Sequence, residues 1–372
     1  FYGQDARAGT ADPLGAFQMA SAFLIGSLMG LYAVFRAERM NRYLVAGGVV
    51  ASVSFLVLLA FWLLDSDREA KDLPLMLLTT ATGGFLSAVI TVGASVVLAM
   101  LFGITTRIQL MELAQLSHPL LRRLQEQAPG TFHHSGIVGN LAERAADLVG
   151  ADSLLVRTGC YFHDIGKITQ PDYYIENQME GENPHEKMTP QASAAVVCQH
   201  VRAGQALARK YRLPARVSDF IPEHHGTRLV TYFYRKASAQ DASVDAEKFR
   251  YPGPRPQSRE TAIVMLADSV EAVVRSSRDR SPERIDSLVD GVIAERVAEG
   301  QLDECDLTLR DLRVIASSFK STLKGVYHAR IEYPAPTRAE ERAIAATPQY
   351  IQPPPEPMDG TAPPIEIERP SS

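Results

Sequence analysis

The sequence predicts an all-α protein in which transmembrane helices precede an α-helical soluble domain. Three observations carry this. Three charge-free apolar runs crowd into residues 14–104, everything after Arg107 reads as soluble protein with helical periodicity, and strand-like alternation is almost absent there. The 372 residues suffice for a membrane segment and one sizeable soluble domain.

The first two apolar runs, Leu14–Val34 and Tyr43–Leu64, each match a ~30 Å hydrocarbon core in length. The third, Leu73–Ile104, is too long for one simple span and too short for two. It is read as a span over Gly84–Ile104 with an interfacial or re-entrant lead-in over Leu73–Gly83. Orientation follows from the flanks. The first loop carries Arg36, Arg39 and Arg42 against Glu38, and the second loop (65–72) has four acids against Arg68 and Lys71. Arg107, Arg122 and Arg123 follow the third run. The positive-inside rule places the first loop and everything after Ile104 in the cytoplasm. Phe1 and the segment 1–13 lack a basic signal-peptide region, so residues 1–104 are read as the C-terminal part of a longer bundle.

Residues 105–127 show an amphipathic helical pattern and are expected to form a rigid connector helix. A helical domain over 128–333 follows, with Asp152 expected to cap one helix and Thr189-Pro190 to begin another. Residues 238–258 read as a polar, proline-bearing loop. The tail 334–372 holds ten of the 23 prolines and is expected to be disordered. Cys160, Cys198 and Cys305 are far apart and fit reduced thiols rather than a disulfide framework. The net charge of −5 gives no sign of a DNA or RNA polymer as partner.

The chemistry lies in a dispersed set of histidines and aspartates. His163-Asp164 sits in YFHDIGK, His134 in GTFHHSGIVGNL, His200 in VVCQHVRAG, His224-His225 in IPEHHGT, and Asp268 in IVMLADSVEA. An HD dipeptide alone is weak evidence. His200 and Asp268, however, are single polar groups among apolar neighbours, and a buried carboxylate needs a cation, donors or water. Nitrogen and oxygen ligands without thiolate argue against structural zinc and suit two divalent ions, manganese or ferrous iron. Two such metals ~3.5–4 Å apart, sharing a hydroxide, provide a nucleophile and clamp phosphoryl oxygens. Lys167, one turn after Asp164, can reach a non-bridging phosphate oxygen.

The pattern H…HD…H…HH…D resembles the HD hydrolase superfamily, and its flanks are more specific. APGTFHHS, YFHDIGK, YIENQMEGENPHEKMTP, EHHGTRLVTYFYRKA, FRYPGPRPQSRETAIVMLADSVEA and HARIEYP resemble the PgpH-type family of membrane-anchored, seven-transmembrane HD-domain cyclic di-AMP phosphodiesterases. The resemblance runs from roughly 102 to 333. It implies that His134, His163, Asp164 and Asp268 hold one metal and that His200, His224 and His225 hold the other, with Asp164 bridging. It also implies hydrolysis of cyclic di-AMP to linear pApA; the candidate catalytic residues are His163, Asp164 and Lys167. This chain shows about three spans, without the family's extracytoplasmic domain. GTRLVTYFY follows His225 in place of a Gly-Tyr-Pro, which disfavours cyclic di-GMP. A non-catalytic nucleotide receptor, or a hydrolase of cyclic di-GMP or guanosine tetraphosphate, remains an alternative. A transporter fragment is disfavoured by the lack of ionisable residues in the spans. Besides the cyclic dinucleotide, the expected partners are the lipid bilayer and a second copy of the chain.

Overall fold

The computed structural model describes residues 13–35, 41–66, 69–178 and 183–327. The arginines at 36 and 39, Arg68, the closing HARIEYP and the tail 334–372, on which some of the expectations above rest, lie outside these residues. Among the described residues the chain is all-α, with one isolated bridge between Leu229 and Arg250.

Three long helices come first: α1 (Pro13–Val34), α2 (Asn41–Leu64) and α3 (Asp72–Phe102). All three are long and apolar enough to cross a membrane. Large side chains such as Phe23, Leu24, Leu31, Phe85 and Leu101 point outward, whereas small residues sit where the helices meet. A Cβ on Gly47 or Gly84 would collide with the backbone of the other, so the close approach of α2 and α3 at this point depends on both glycines. The lead-in expected over Leu73–Gly83 is not separate. α3 runs unbroken for 31 residues, about 46 Å at helical rise. Thr79, Thr80 and Thr82 return their hydroxyls to carbonyls one turn back and thus stay compatible with an apolar helix.

The single connector helix is also corrected. α4 (Arg107–Leu113) and α5 (Pro119–Gln127) are separate. Pro119 has no N–H to continue a helix from α4. Instead it occupies the first turn of α5, and His118 Nδ1 accepts the Leu120 N–H at 3.3 Å. Thr106 caps α4 by accepting from the Gln109 N–H. Neither piece is a free strut. Leu110, Leu113, Leu120, Leu121 and Leu124 are buried against the helices that follow.

Those helices are α6 (Pro129–Val149), α7 (Ser153–Phe162), α8 (Pro190–Lys210), the short α9 (Ala215–Ser218) and α10 (Phe220–Glu223), α11 (Thr231–Ser238), α12 (Arg259–Ser276), α13 (Pro282–Ala298) and α14 (Leu309–Val326). Asp152 accepts from the Leu155 N–H to start α7, and Thr189 accepts from the Ala192 N–H to start α8. α12 is the central helix. From Thr261 to Glu271 it is buried all round, and Ser258 and Thr261 form a capping box at its start. α6, α7 and α10 pack around it. In the polar segment 238–258, Phe249 breaks the loop pattern. It is fully buried beside Ala194, Phe233 and Ala237, and so pins the loop across α8 and α11.

Candidate metal centre

Each candidate ligand is placed by a local device. His163 ends α7, and Asp164 follows as the residue before a 3₁₀ turn, Ile165–Thr169. The change from α to 3₁₀ geometry turns both adjacent side chains inward, which a continuous helix would not allow. Gly166 makes this possible, since a Cβ there would overlap the His200 carbonyl and the turn could not lie on α8. His200 lies mid-way along α8 and His134 on α6. His224 and His225 follow α10, with the chain reversing at Gly226 (φ +56°), and Asp268 lies on α12.

The structure brings all seven residues together. Asp164 lies at the centre, fully buried, with its two oxygens facing different partners. Oδ2 is 3.2 Å from His163 Nε2 and 3.8 Å from His134 Nε2. Oδ1 is 3.4 Å from His200 Nε2 and 3.6 Å from His224 Nε2. Two overlapping sets result, each with ligand atoms within 4.8 Å of one another: His134, His163, Asp164 and Asp268, and Asp164, His200, His224 and His225. Either set can hold a metal ion.

The hydrogen bonds show why these atoms are free. His163, His200 and His224 each turn Nδ1 to a backbone carbonyl, of Cys160, Val197 and Phe220, at 2.7, 2.7 and 2.9 Å. Those carbonyls only accept, so Nδ1 carries the proton and Nε2 keeps its lone pair. The three Nε2 atoms, Asp164 Oδ1 and His225 Nδ1 are buried without a hydrogen-bond partner. Five converging orphans are costly in an empty interior and are what a cation would satisfy.

Electrostatics agree. Burial holds His200 down at about 4, and burial together with His224 and His200 holds His225 well below its usual range, so both are neutral near pH 7. Burial alone would raise the two carboxyl groups. Lys167 and His163 outweigh it at Asp164, and His134 outweighs it at Asp268, so both stay well below the ordinary carboxylate value. Lys167, expected from sequence to reach a phosphate oxygen, is largely buried and paired with two carboxylates. Its Nζ is 2.8 Å from Asp164 Oδ2 and donates to Glu176 Oε1 at 2.6 Å. Burial opposes that charge, yet Asp164 and Glu176 hold the ammonium well above its usual value.

Sequence reasoning missed several neighbours. Glu176 lies in an irregular segment with no periodicity to mark it. Tyr251 stacks on His225, with ring centroids 4.1 Å apart, from the loop that Phe249 pins. Tyr174 lies edge-on to His200 and under the Lys167 ammonium. Glu271, fully buried, meets His134 Nδ1 at 2.7 Å. Its signal was available, since it stands one turn beyond Asp268 within the mostly apolar run IVMLADSVEAVV.

Comparison with known proteins identifies the family. Residues 131–273 match the HD domain family. The chain is 41% identical over 317 residues to the cyclic-di-AMP phosphodiesterase PgpH of Bacillus subtilis, covering 85% of this chain and 45% of that protein. It is 40% identical over 298 residues to the cyclic-di-AMP phosphodiesterase PgpH of Listeria monocytogenes, covering 80% and 42%. The chain thus spans a little under half the length of these curated relatives. The crystal structure of the L. monocytogenes phosphodiesterase PgpH HD domain in complex with cyclic-di-AMP matches with a TM-score of 0.56 at 44% identity, covering 57% of this chain and 100% of that one. With that solved HD domain matched along its whole length, and three apolar helices ahead of the shared domain, the chain belongs to the PgpH family of HD-domain proteins.

Proposed function

We propose that this chain is a membrane-anchored, metal-dependent phosphodiesterase that hydrolyses cyclic di-AMP to linear pApA. The observation that carries the reading is the set of five unpartnered, buried ligand atoms around Asp164. His134, His163, Asp164 and Asp268 would hold one divalent ion. His200, His224 and His225 would hold a second, with Asp164 shared through its two oxygens. Such a pair supplies a water activated near neutral pH and charge to offset that on the phosphoryl oxygens. The nitrogen and oxygen donor set favours Mn²⁺ or Fe²⁺.

The protein's own part is to hold these donors in one protonation state. Backbone carbonyls fix three imidazoles, and Lys167 keeps Asp164 ionised while placing positive charge beside the site. Tyr251 and Tyr174 cover the second histidine set with aromatic surface. The relatives' names and the cyclic-di-AMP complex of the Listeria domain support the substrate. We read residues 1–104 as the anchoring bundle in the inner membrane, 105–127 as the connection, 128–333 as the hydrolase and 334–372 as a tail.

The test is product chromatography on the full chain in detergent, loaded with Mn²⁺ or Fe²⁺ and offered cyclic di-AMP and cyclic di-GMP separately. Conversion of cyclic di-AMP to pApA is expected. Binding without turnover at full metal occupancy would overturn the assignment in favour of a receptor. Asp164→Ala removes a ligand from both sets, so turnover should fall on the order of 10³-fold or more, matching several kcal/mol of lost stabilisation. Retained turnover would refute the shared role.

A further inference from the structure

Four of the candidate ligand histidines have hydrogen-bonded Nδ1 atoms, and they are not held alike. His163, His200 and His224 lean on backbone carbonyls, whereas His134 leans on a side chain. Its Nδ1 meets Glu271 Oε2 at 2.7 Å, while its Nε2 faces Asp268 Oδ1 at 3.0 Å. Both carboxylates stand on α12, three residues apart and so on one face. Arg275 lies one further turn along, and its Nε donates to both Glu271 oxygens at 3.1 and 3.3 Å. Glu271 has no solvent exposure, and among the described residues its polar side-chain partners are His134 and Arg275. A carboxylate with no exposure is expensive unless it has a partner and a purpose.

We propose that Glu271 is the positioning residue for the first metal set: it holds the Nδ1 proton of His134, so that Nε2 is presented beside Asp268 as a ligand, and Arg275 locks it in place. A carboxylate behind an imidazole fixes its tautomer and ring orientation and strengthens its donor nitrogen. A backbone carbonyl does the same work more weakly, and no side-chain substitution removes it. The two sets therefore differ in how they can be perturbed. His200 and His224 in the second set, like His163 in the first, are held by main chain, whereas His134 is held by a replaceable carboxylate. This inference rests on reading the cluster as a two-metal site.

The experiment is metal stoichiometry and competition. Full-length protein in detergent is equilibrated with Mn²⁺ against a graded chelator, and bound metal is measured by elemental analysis. Wild type should retain two ions. Glu271→Ala should lose one, its affinity falling about ten- to a hundred-fold, while the other ion is held as in wild type. Glu271→Gln keeps the volume and an accepting oxygen, and should fall between the two. Arg275→Ala should weaken the same ion less. If wild type binds no metal, the two-metal reading fails. If wild type binds two and both folded Glu271 variants hold two with unchanged affinity, only this inference fails. Equal loss of both ions from folded Glu271→Gln would also overturn it, because the effect would not be confined to one set. Should Glu271→Ala not fold, the Gln variant decides.

Discussion

Asp164 faces His163 and His134 with one oxygen and His200 and His224 with the other, so a single carboxylate serves both sets. The histidines around it differ in charge as well as in support. At His134 burial disfavours the proton, but Asp268 and Glu271 outweigh it and raise the group to about 10. His200, with burial dominant, lies at about 4. Metal can take His134 Nε2 only after a proton leaves it, whereas His200 is already neutral. Below about 10 the metal-free protein therefore carries one more proton at the first set, and raising the pH favours binding there by about tenfold per unit. Calorimetry of Mn²⁺ binding near pH 8, in two buffers of different ionisation enthalpy, should show release of about one proton with one of the two ions. Absence of any buffer dependence would contradict this account.

At the scale of elements, α5 ties the approach from the membrane helices to the centre. Leu120, Leu121 and Leu124 are fully buried between α6 and the turn Ile165–Thr169 that carries Lys167. His118, at the start of α5, lies edge-on to Phe162, the residue before His163, with ring centroids 5.3 Å apart. Leu124→Ala should cost about 2–5 kcal/mol, because the surrounding helices cannot close fully on the cavity. Gln125→Ala, on the exposed face, should stay within about 0.5 kcal/mol. Thermal unfolding of both variants, read by circular dichroism, checks the contrast; equal melting temperatures would mean that α5 is not part of the cooperative core. The amphipathic pattern of 105–127 was legible in sequence, since leucines at helical spacing demand a buried face. The break at Pro119 was readable in principle, but an apolar stripe continues across it and masks it.

For the molecule as a whole, the charge flanks remain the argument for sidedness: Arg107, Arg122 and Arg123 follow α3, whereas acids dominate the loop before it. The HD domain should face the cytoplasm. Cysteines introduced singly at exposed Gln125 and at Lys71 in the second loop should then label oppositely with a membrane-impermeant maleimide on intact cells, Lys71→Cys reacting and Gln125→Cys protected until lysis. The reverse pattern would overturn the orientation. α3 also shows a limit of reading spans by length. The 32-residue apolar run Leu73–Ile104 looked too long for one simple span, but nothing before Phe102 breaks helical hydrogen bonding, so the helix continues for 31 residues.

The sequence by itself determined the membrane helices, the all-α class and the identity of the seven candidate ligands. Apolar length, helical period and isolated polar residues in apolar runs are local properties that folding must respect. Only the tertiary structure decided which oxygen of Asp164 faces which histidines, that Lys167 is paired with Glu176, that Tyr251 covers His225 and that Glu271 stands behind His134. Those contacts join residues up to 137 positions apart, and no local pattern encodes a distance across the core. Packing around α12 supplies that distance, because an all-round buried helix brings every element that covers it to within reach of one face.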